Sequence, residues 1–580
     1  MWYLDSYPLA EEIGDPNVFV GREKEMKRLL KWAENAKPRR SKSLAILSRR
    51  KKGKTALLQR FFNVLYHRND PRLIPFYYRI PEAVQSRLDF TKVFYRRVLT
   101  QYLAFTTRTP SWVGQVLPME MLVELTASDK DLSGEIRAMA AMFENEPSAA
   151  WPYAQEVAHR ISQLKDVRIL QILDEFQYMN KYIVADDGSG RVELLCHSYM
   201  GAAESKYSPQ IVAGSHIGWL EVILRHLTAR YNRWRLEGLS DTEAVEAVYN
   251  YAAIHQVNVT EETAPYVAEV CYNDPYYIAA TVGHHPEDKD LTTEEGVREA
   301  LTYETMTHRG DIAYVWGEYL AGAFDRVNKE NSKKIVLYLA KYEPEPRRLD
   351  QIREDLKLDL TEQEVEDRLH KLVMADILAP GPTAIHYQGL GDRIFSMVFR
   401  RLYGAQIDRI SVDEIDTDFK KELASLKGRL SVQRGALAEL RVRYRLLVAS
   451  LRGATLADLV FDGGGQGDPT PMGPFQGIRK AHFYLTHETN VEIDLHAVSE
   501  NDDGTDLMIE VKDWDKGPQL EVVRRFVEVK TSLEGQLKRK TAFLFYSESG
   551  LSDRATARLE EAGILLLDPK KLAGFESFPQ

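Results

Sequence analysis

Cysteine is nearly missing: Cys196 and Cys271 are the only two in 580 residues. They cannot build a disulfide framework and lack metal-ligand spacing, which suits a reducing, cytoplasmic compartment. Long apolar runs are missing as well. The strongest, 169–173 and 564–567, fall far short of the ~20 residues a membrane helix needs, so no membrane span is expected. The first residues, Met1-Trp2-Tyr3-Leu4-Asp5, lack the basic-then-apolar build of a signal peptide. No fixed-period repeat and no low-complexity tract interrupts the chain. Positive charge is not in excess: 76 Lys and Arg against 86 Asp and Glu leave a net charge of −10. That excludes a whole-molecule polycation wrapped on nucleic acid, though not a local basic site. What remains is ordinary soluble-globular composition, 44% hydrophobic and 28% charged, in a chain too long for one core.

From 19 to 238, short apolar runs alternate with amphipathic stretches, the pattern of an α/β fold with a parallel sheet. Strands are expected at 43–47, 73–78, 168–173 and 210–213. Residues 239–330 read as a helical unit. From 331 to 404, three short helices precede two apolar segments around Pro380-Gly381-Pro382, the order of a winged helix. Thr361 and Glu364 form a capping box opening its third helix. That helix sets Glu362, Glu364, Glu366 and Asp367 against Arg368 and Lys371. Its acidity favours a structural or protein-contact role over major-groove reading. The polar stretch 405–427 reads as a linker, and 428–580 return to α/β. There the pattern predicts a long helix at about 430–451 and strands at 482–485, 492–497 and 506–511. A helix at 519–537, a strand at 541–546, a helix at 552–562 and a strand at 564–567 follow.

Ser48-Arg-Arg-Lys-Lys-Gly53-Lys54-Thr55 follows an apolar strand and precedes a helical run opening at Ala56. This is the strand–loop–helix context of a P-loop. Loop amides and a helix N-terminus offer donors and positive potential to phosphate oxygens. Lys54 is placed to reach the β and γ phosphates, and the Thr55 hydroxyl to hold Mg²⁺. Ser48 stands where the motif usually has its first glycine, so an altered loop is expected. Arg168-Ile-Leu-Gln-Ile-Leu173-Asp174-Glu175 is an apolar strand ending in two carboxylates. Asp174 is expected to position the Mg²⁺ and Glu175 to polarise the attacking water. The strand Ile211-Val-Ala-Gly-Ser215 brings a hydroxyl where a γ-phosphate sensor belongs. The fold expected here is a P-loop NTPase core (1–238) with a helical lid (239–330).

Val20-Gly21-Arg22-Glu23, the Arg-Arg within the loop, Leu173-Asp174-Glu175-Phe176-Gln177, Ala213-Gly214-Ser215 and Asn273-Asp-Pro275-Tyr276-Tyr277 together resemble the archaeal-type AAA+/STAND ATPases. The resemblance covers about 19–290, and the winged helix and C-terminal unit match that family's layout. It implies ATP as the nucleotide, a helical lid and an ATP-driven conformational switch. It also implies Arg230, beside Ala229, as an arginine finger or sensor, against the plain alternative of a solvated arginine. A homo-oligomer is left open.

In the last unit, Asp494 lies on the strand Glu492-Ile-Asp-Leu-His-Ala, and Glu510 and Lys512 lie on Leu507-Met-Ile-Glu-Val-Lys. A loop holding Asp502-Asp503-Gly504 makes the two a hairpin. Residues two apart on a strand share a face, so Glu510 and Lys512 point together and Asp494 can join them. Two carboxylates and a lysine suit Mg²⁺-assisted phosphodiester cleavage, and Glu439 on the preceding helix adds a carboxylate. Glu528-Val529-Lys530 repeats the E-x-K triplet, but the apolar stripe Leu520, Val523, Val527 and Leu533 makes it helical. The set Glu439…Asp494…Glu510-x-Lys512 resembles the PD-(D/E)xK nuclease superfamily in its restriction-endonuclease-like, Mrr-type form. That resemblance implies an ATP-regulated, Mg²⁺-dependent DNA endonuclease acting in defence against foreign DNA or in repair. The alternative is an ATP-driven STAND-type switch whose nuclease-like unit only binds DNA or a partner. Arg434, Arg441, Arg445 and Arg452 form a stripe on one helix, and Lys538-Arg539-Lys540 a second cluster. Each is read equally as phosphate-binding or as a solvated face.

Overall fold

The computed structural model describes residues 4, 6–226, 230–283, 289–324, 329–383, 385–407, 417, 419–421, 423–424, 434–461, 472–484, 490–513 and 520–578. The chain is mixed α/β. Strands β1 (Ser43–Leu47) and β2 (Leu73–Arg79) belong to its first sheet, β3 (Gln85–Ser86) pairs apart with β5 (Ile183–Val184), and β4 (Arg168–Asp174), β6 (Gln210–Gly214) and β7 (Tyr231–Arg235) complete the sheet. All five of its strands are parallel, in the order β2-β4-β6-β1-β7. β1, β4 and β6 are buried throughout, because helices cover both faces of the sheet, and that is why they read as unbroken apolar runs. β7, at the sheet edge, is partly exposed and does not alternate, with only Tyr231 buried. Its short Tyr-Asn-Arg-Trp-Arg sequence gave no strand signal. Helix α1 (Glu23–Ala36) precedes β1, and helix α2 (Lys54–Arg68) follows it directly.

Five further helices, from Asp241–His255 to Asp311–Phe324, form the lid. Helices Lys329–Lys341, Leu349–Asp355 and Glu362–Met374 follow, with β8 (Arg347–Arg348), β9 (Ala379–Pro380) and β10 (His386–Gln388) as a small sheet in the order β8-β10-β9. A single apolar core runs through the lid and the winged-helix elements. The stretch expected to be a linker is not simply polar. Residues 405–407 continue the helix Arg393–Ile407, and Phe419 and Leu423 are buried in that same core. Its remaining residues lie outside the described ones.

The last unit carries the sheet β11 (Phe475–Tyr484), β12 (Asn490–Ser499), β13 (Asp506–Lys512), β14 (Thr541–Ser547) and β15 (Leu565–Leu566) in sequential order. The first three strands are antiparallel and the last two join in parallel. β11 begins seven residues before the expected strand at 482, since register shifts around Gly477 and Lys480 break its alternation. Helix Leu520–Glu534, which contains Glu528-Val529-Lys530, packs on one face. Helix Arg434–Leu451 packs on the other and has two apolar sides. Ala438, Val442 and Leu446 enter the sheet core, while Leu440, Tyr444 and Val448 enter the core of the lid.

Candidate functional site

Ligands of open α/β sheets bind beyond the carboxyl ends of the strands, and the first centre lies there. The loop after β1 turns into α2 with positive φ at Lys51 (68°) and Gly53 (77°), not at Ser48. Serine is therefore tolerated at the motif's first position, and the residue carrying the unfavourable backbone is Lys51. Lys54 is buried and pairs with the fully buried Asp174 at the end of β4, and the Thr55 hydroxyl donates to the other Asp174 oxygen at 2.6 Å. Glu175, with φ 53°, turns beside them. Its carboxylate accepts from the Ser215 hydroxyl at 2.9 Å and from Gln177 at 2.6 Å. Burial acts to raise the Glu175 pKa, but the Lys54 ammonium and those hydrogen bonds outweigh it and keep the group ionised.

Other basic residues of the loop are tied to neighbouring elements. Arg49 pairs with Asp392 of the winged-helix region at 2.7 Å, Lys52 with Asp274 of the lid, and Arg50 meets His216 at 2.8 Å. Asp274 also caps the helix Pro275–Val282, and Tyr277 donates to Asp392 at 2.9 Å. Gly53, Lys54 and Thr55 face a cleft of about 530 Å³, and Arg49, Arg50 and Lys51 also stand on its wall. The far end of that cleft is apolar, walled by Ile13, Val18, Tyr251, Tyr276 and Ala279. Phosphate donors at one end and a flat apolar slot at the other match the two halves of a nucleotide. The slot residues were missed in the sequence because they come from the N-terminal segment and from two lid helices, with no shared local pattern.

Gly53, Lys54, Thr55, Ala56, Glu175 and Ser215 thus line one cleft, with Asp174 bonded to Lys54 and Thr55, while Ser48 is buried just after β1 and outside the lining. Arg230 does not join them. It adjoins Tyr231, which pairs with Ser43 at the start of β1, so it sits at the end of the sheet opposite the loop. There it is bound to Glu204 at 2.8 Å, and the finger or sensor role fails within one chain.

The second centre is on the hairpin β12–β13. Their register, Leu495 opposite Ile509, brings Asp494 beside Glu510. The Lys512 ammonium lies 2.8 Å from Asp494 Oδ2, 2.8 Å from Glu510 Oε1 and 3.0 Å from the Val511 carbonyl oxygen. The Val511 N–H donates to Asp494 at 3.0 Å. Burial and the neighbouring Asp494 push Glu510 up, and burial with the same neighbour pushes Glu439 up to about 7. Burial works against the Lys512 charge, yet Asp494 and Glu510 raise its pKa above the ordinary lysine value. Three acids share one place: the Lys512 ammonium pairs with Asp494 and Glu510, and Lys480 lies 3.9 Å from Glu439. The ammonium stands inside a cup of two carboxylates and a carbonyl, the donors a hard divalent cation takes. Among the described residues no three His, Cys, Asp or Glu side chains close into a metal cage. A half-open set of this kind suits Mg²⁺, which keeps waters and takes one or two carboxylates plus substrate phosphate.

The arginine stripe is not a free face. Arg441 and Arg445 reach Glu261 of the lid region at 3.4 and 3.5 Å, Arg445 also meets Glu576 at 2.9 Å, and Arg452 donates to Ser577 O at 2.7 Å. Arg539 is likewise held by the carbonyls of Ser499 and Asn501. These side chains dock parts of the chain on one another. The acidic helix Glu362–Met374 buries Val365, Leu369 and Leu372, and Asp376 just beyond it caps the helix Ile217–His226 through the Ile217 and Gly218 amides at 2.8 and 2.9 Å.

No family model matches the chain, and no curated protein matches it in sequence. Among solved structures, it is similar to a Walker-type ATPase of Pyrococcus abyssi, at 16% identity over 66% of this chain and 96% of that one, with a TM-score of 0.43. The ORC2 protein of Aeropyrum pernix, in ADPNP–ADP complexes, aligns at 10% identity over 71% and 99%, with a TM-score of 0.36. RuvB of Thermotoga maritima, a Holliday junction branch migration motor, aligns at 14% identity over 66% and 96%, with a TM-score of 0.31. With TM-scores this low, none of these likenesses bears on what the two centres do. Among the described residues, no helix is long and apolar enough to cross a membrane.

Proposed function

We propose that this chain is an ATP-binding P-loop protein of the AAA+/STAND kind whose nucleotide state governs a Mg²⁺-dependent, PD-(D/E)xK-type nuclease centre acting on DNA. The observation that carries the reading is the second centre: Asp494, Glu510 and the Val511 carbonyl gathered around the Lys512 ammonium, with Glu439 nearby.

In the nucleotide cleft, Lys54 and the amides at the start of α2 bind the phosphates. Thr55 and Asp174 are the residues that would hold Mg²⁺, which shields the phosphate charge. Glu175, fixed by Ser215 and Gln177, is placed to orient a water for attack on the terminal phosphate. In the nuclease centre, Asp494, Glu510 and the Val511 carbonyl would hold a second Mg²⁺, whose contribution is to lower the pKa of water and stabilise the phosphorane charge. Lys512, beside both carboxylates, is placed to steady the anionic phosphate or to position the attacking water. Glu439, close enough to Asp494 to feel its charge, is a further carboxylate available to the same centre.

Purified full-length protein incubated with Mg²⁺ and DNA, with and without ATP, tests this reading. Cleavage is expected, with Lys512→Ala and Glu510→Ala each lowering the rate by at least ~100-fold. Absence of cleavage under every nucleotide condition would falsify the catalytic part. ATP-dependent DNA binding that survives Asp494→Ala and Glu510→Ala would then favour the binding-only switch. That second reading draws support from the Lys512 ammonium already filling the cup between the carboxylates.

A further inference from the structure

The cavity above Asp494, Glu510 and Lys512 has a volume of about 750 Å³ and is not built by the C-terminal unit alone. β12 and β13 form one side, and helix Leu520–Glu534 forms another through Arg525 and Phe526. The third wall is α1 of the P-loop unit, through Lys27 and Leu30. This helix is firmly seated. Arg22, immediately before it, donates to the carbonyl oxygens of Glu237 at 2.8 Å, Gly238 at 3.2 Å and Lys52 at 2.8 Å. Asn17 donates to the Gln476 carbonyl at 2.7 Å and accepts from Arg479. Gly477 permits that approach, since a Cβ there would lie 2.9 Å from Asn17 Oδ1.

Resting on the nuclease reading of this centre, we infer that the substrate groove is composite and takes single-stranded DNA, with Lys27 of the P-loop unit contacting its phosphate backbone across from Arg525. Volume argues for a single strand. Cavities of roughly 300–1,000 Å³ enclose ligands of small-molecule size, which is room for one or two nucleotides. A duplex, whose major groove alone is ~12 Å wide, enters only if α1 moves away. Chemistry argues the same. Val522 and Val529, partly exposed, offer apolar faces to unpaired bases, while Lys27, Arg525 and Lys512 offer cations to phosphates. Lys27 is 59% exposed and lies 3.5 Å from Glu23 as an i, i+4 pair, a weak tether that a phosphate can replace.

Fluorescence anisotropy of the full chain with a labelled single strand, in EDTA so that cleavage is silent, tests the groove. Lys27→Ala is expected to weaken binding roughly threefold to tenfold and to lower the log–log salt slope by ~0.7. Lys24→Ala, on the same helix but outside the cavity, is expected to change neither, and Lys27→Arg to restore both. An unchanged affinity and slope in Lys27→Ala overturns the groove. So does duplex binding tighter than single-strand binding that rises further when Asn17→Ala loosens α1. The nuclease reading fails separately. Lys27-dependent strand binding with no cleavage on adding Mg²⁺ removes the reaction and keeps the groove. Duplex cleavage indifferent to Lys27 keeps the reaction and removes the groove.

Discussion

Asp376 is a buried carboxylate with no part in either chemistry, and it makes the seating of the winged helix sensitive to pH. Burial lifts its pKa to about 7, although the amides of Gly218 and Ile217 and the charges of Arg49 and Arg50 pull it down. His216 lies 3.8 Å away, and Tyr319 packs nearby with its hydroxyl donated to the Ala375 carbonyl. His216 is itself lowered to about 4, so it is neutral where Asp376 titrates. The folded state holds a proton that the unfolded chain releases near pH 3.8. The stability tied to that proton is complete below the unfolded pKa and is lost as pH rises through about 7. Chemical denaturation between pH 5 and pH 7.5 is expected to show a decline, on the order of 1–3 kcal/mol, that Asp376→Asn lacks. Parallel curves for the two proteins would refute it. At this scale the sequence speaks clearly about contiguous chemistry. Lys54 and Thr55 are adjacent on one loop, and Glu510 and Lys512 share a strand face by period alone. It is silent on Asp376, Asp392 and Lys27, whose roles depend on contacts with residues hundreds of positions away. Arg230 misled for the same reason, since nothing local says at which end of a sheet a strand begins.

The helix Arg434–Leu451 shows what a single element does when both its sides are apolar. One side enters the C-terminal sheet and the other the lid, so it is a shared wall between two units. Its arginines follow suit. Arg443, buried, bonds to Glu246 at 3.0 Å and to Asn250 of the lid helix Asp241–His255. From sequence Arg434, Arg441, Arg445 and Arg452 read equally as a phosphate-binding stripe or a solvated face, because periodicity reports that a face is basic and not what covers it. The lid side also holds Tyr444, whose ring lies tilted at 5.5 Å from Tyr249 and edge-on at 5.3 Å from Phe578. Tyr444→Ala and Leu446→Ala should therefore behave differently, although each removes a buried side chain worth about 2–5 kcal/mol. Leu446→Ala is expected to weaken the C-terminal sheet, read as faster amide exchange in β13 and β14. Tyr444→Ala is expected to leave those strands protected and speed exchange in the lid helix instead. The same exchange pattern in both variants would remove the two-sided account. The strands of this unit are legible where alternation is clean, as in β12, or where a short apolar run stands out, as in β13. β11 was read short because its register shifts break that alternation.

At the scale of the whole molecule, the two centres are joined by a short chain of contacts. Asn250 donates to the Asn17 carbonyl at 2.8 Å, Asn17 holds Gln476 and Arg479 of β11, and Arg443 holds Asn250. Asn17 is next to Val18 and Asn250 next to Tyr251, and both neighbours wall the apolar end of the nucleotide cleft. On the proposed reading, a base entering that slot is expected to press on the residues that seat the C-terminal unit, with α1 as the route to the cavity wall at Lys27. Contiguity alone does not establish coupling, but coupling has a signature that it cannot avoid: reciprocity. If ATP changes the affinity for a single strand by some factor, the strand must change the affinity for ATP by the same factor, typically about 5–150-fold. Glu175→Gln protein, which should bind ATP without consuming it, allows both affinities to be measured at equilibrium. Adding Asn17→Ala is expected to bring both factors toward one while ATP binding without DNA stays within about twofold, since Asn17 itself does not line the cleft. A factor of one before the substitution, or a factor that Asn17→Ala leaves intact, would show that the two centres share a chain without sharing a state.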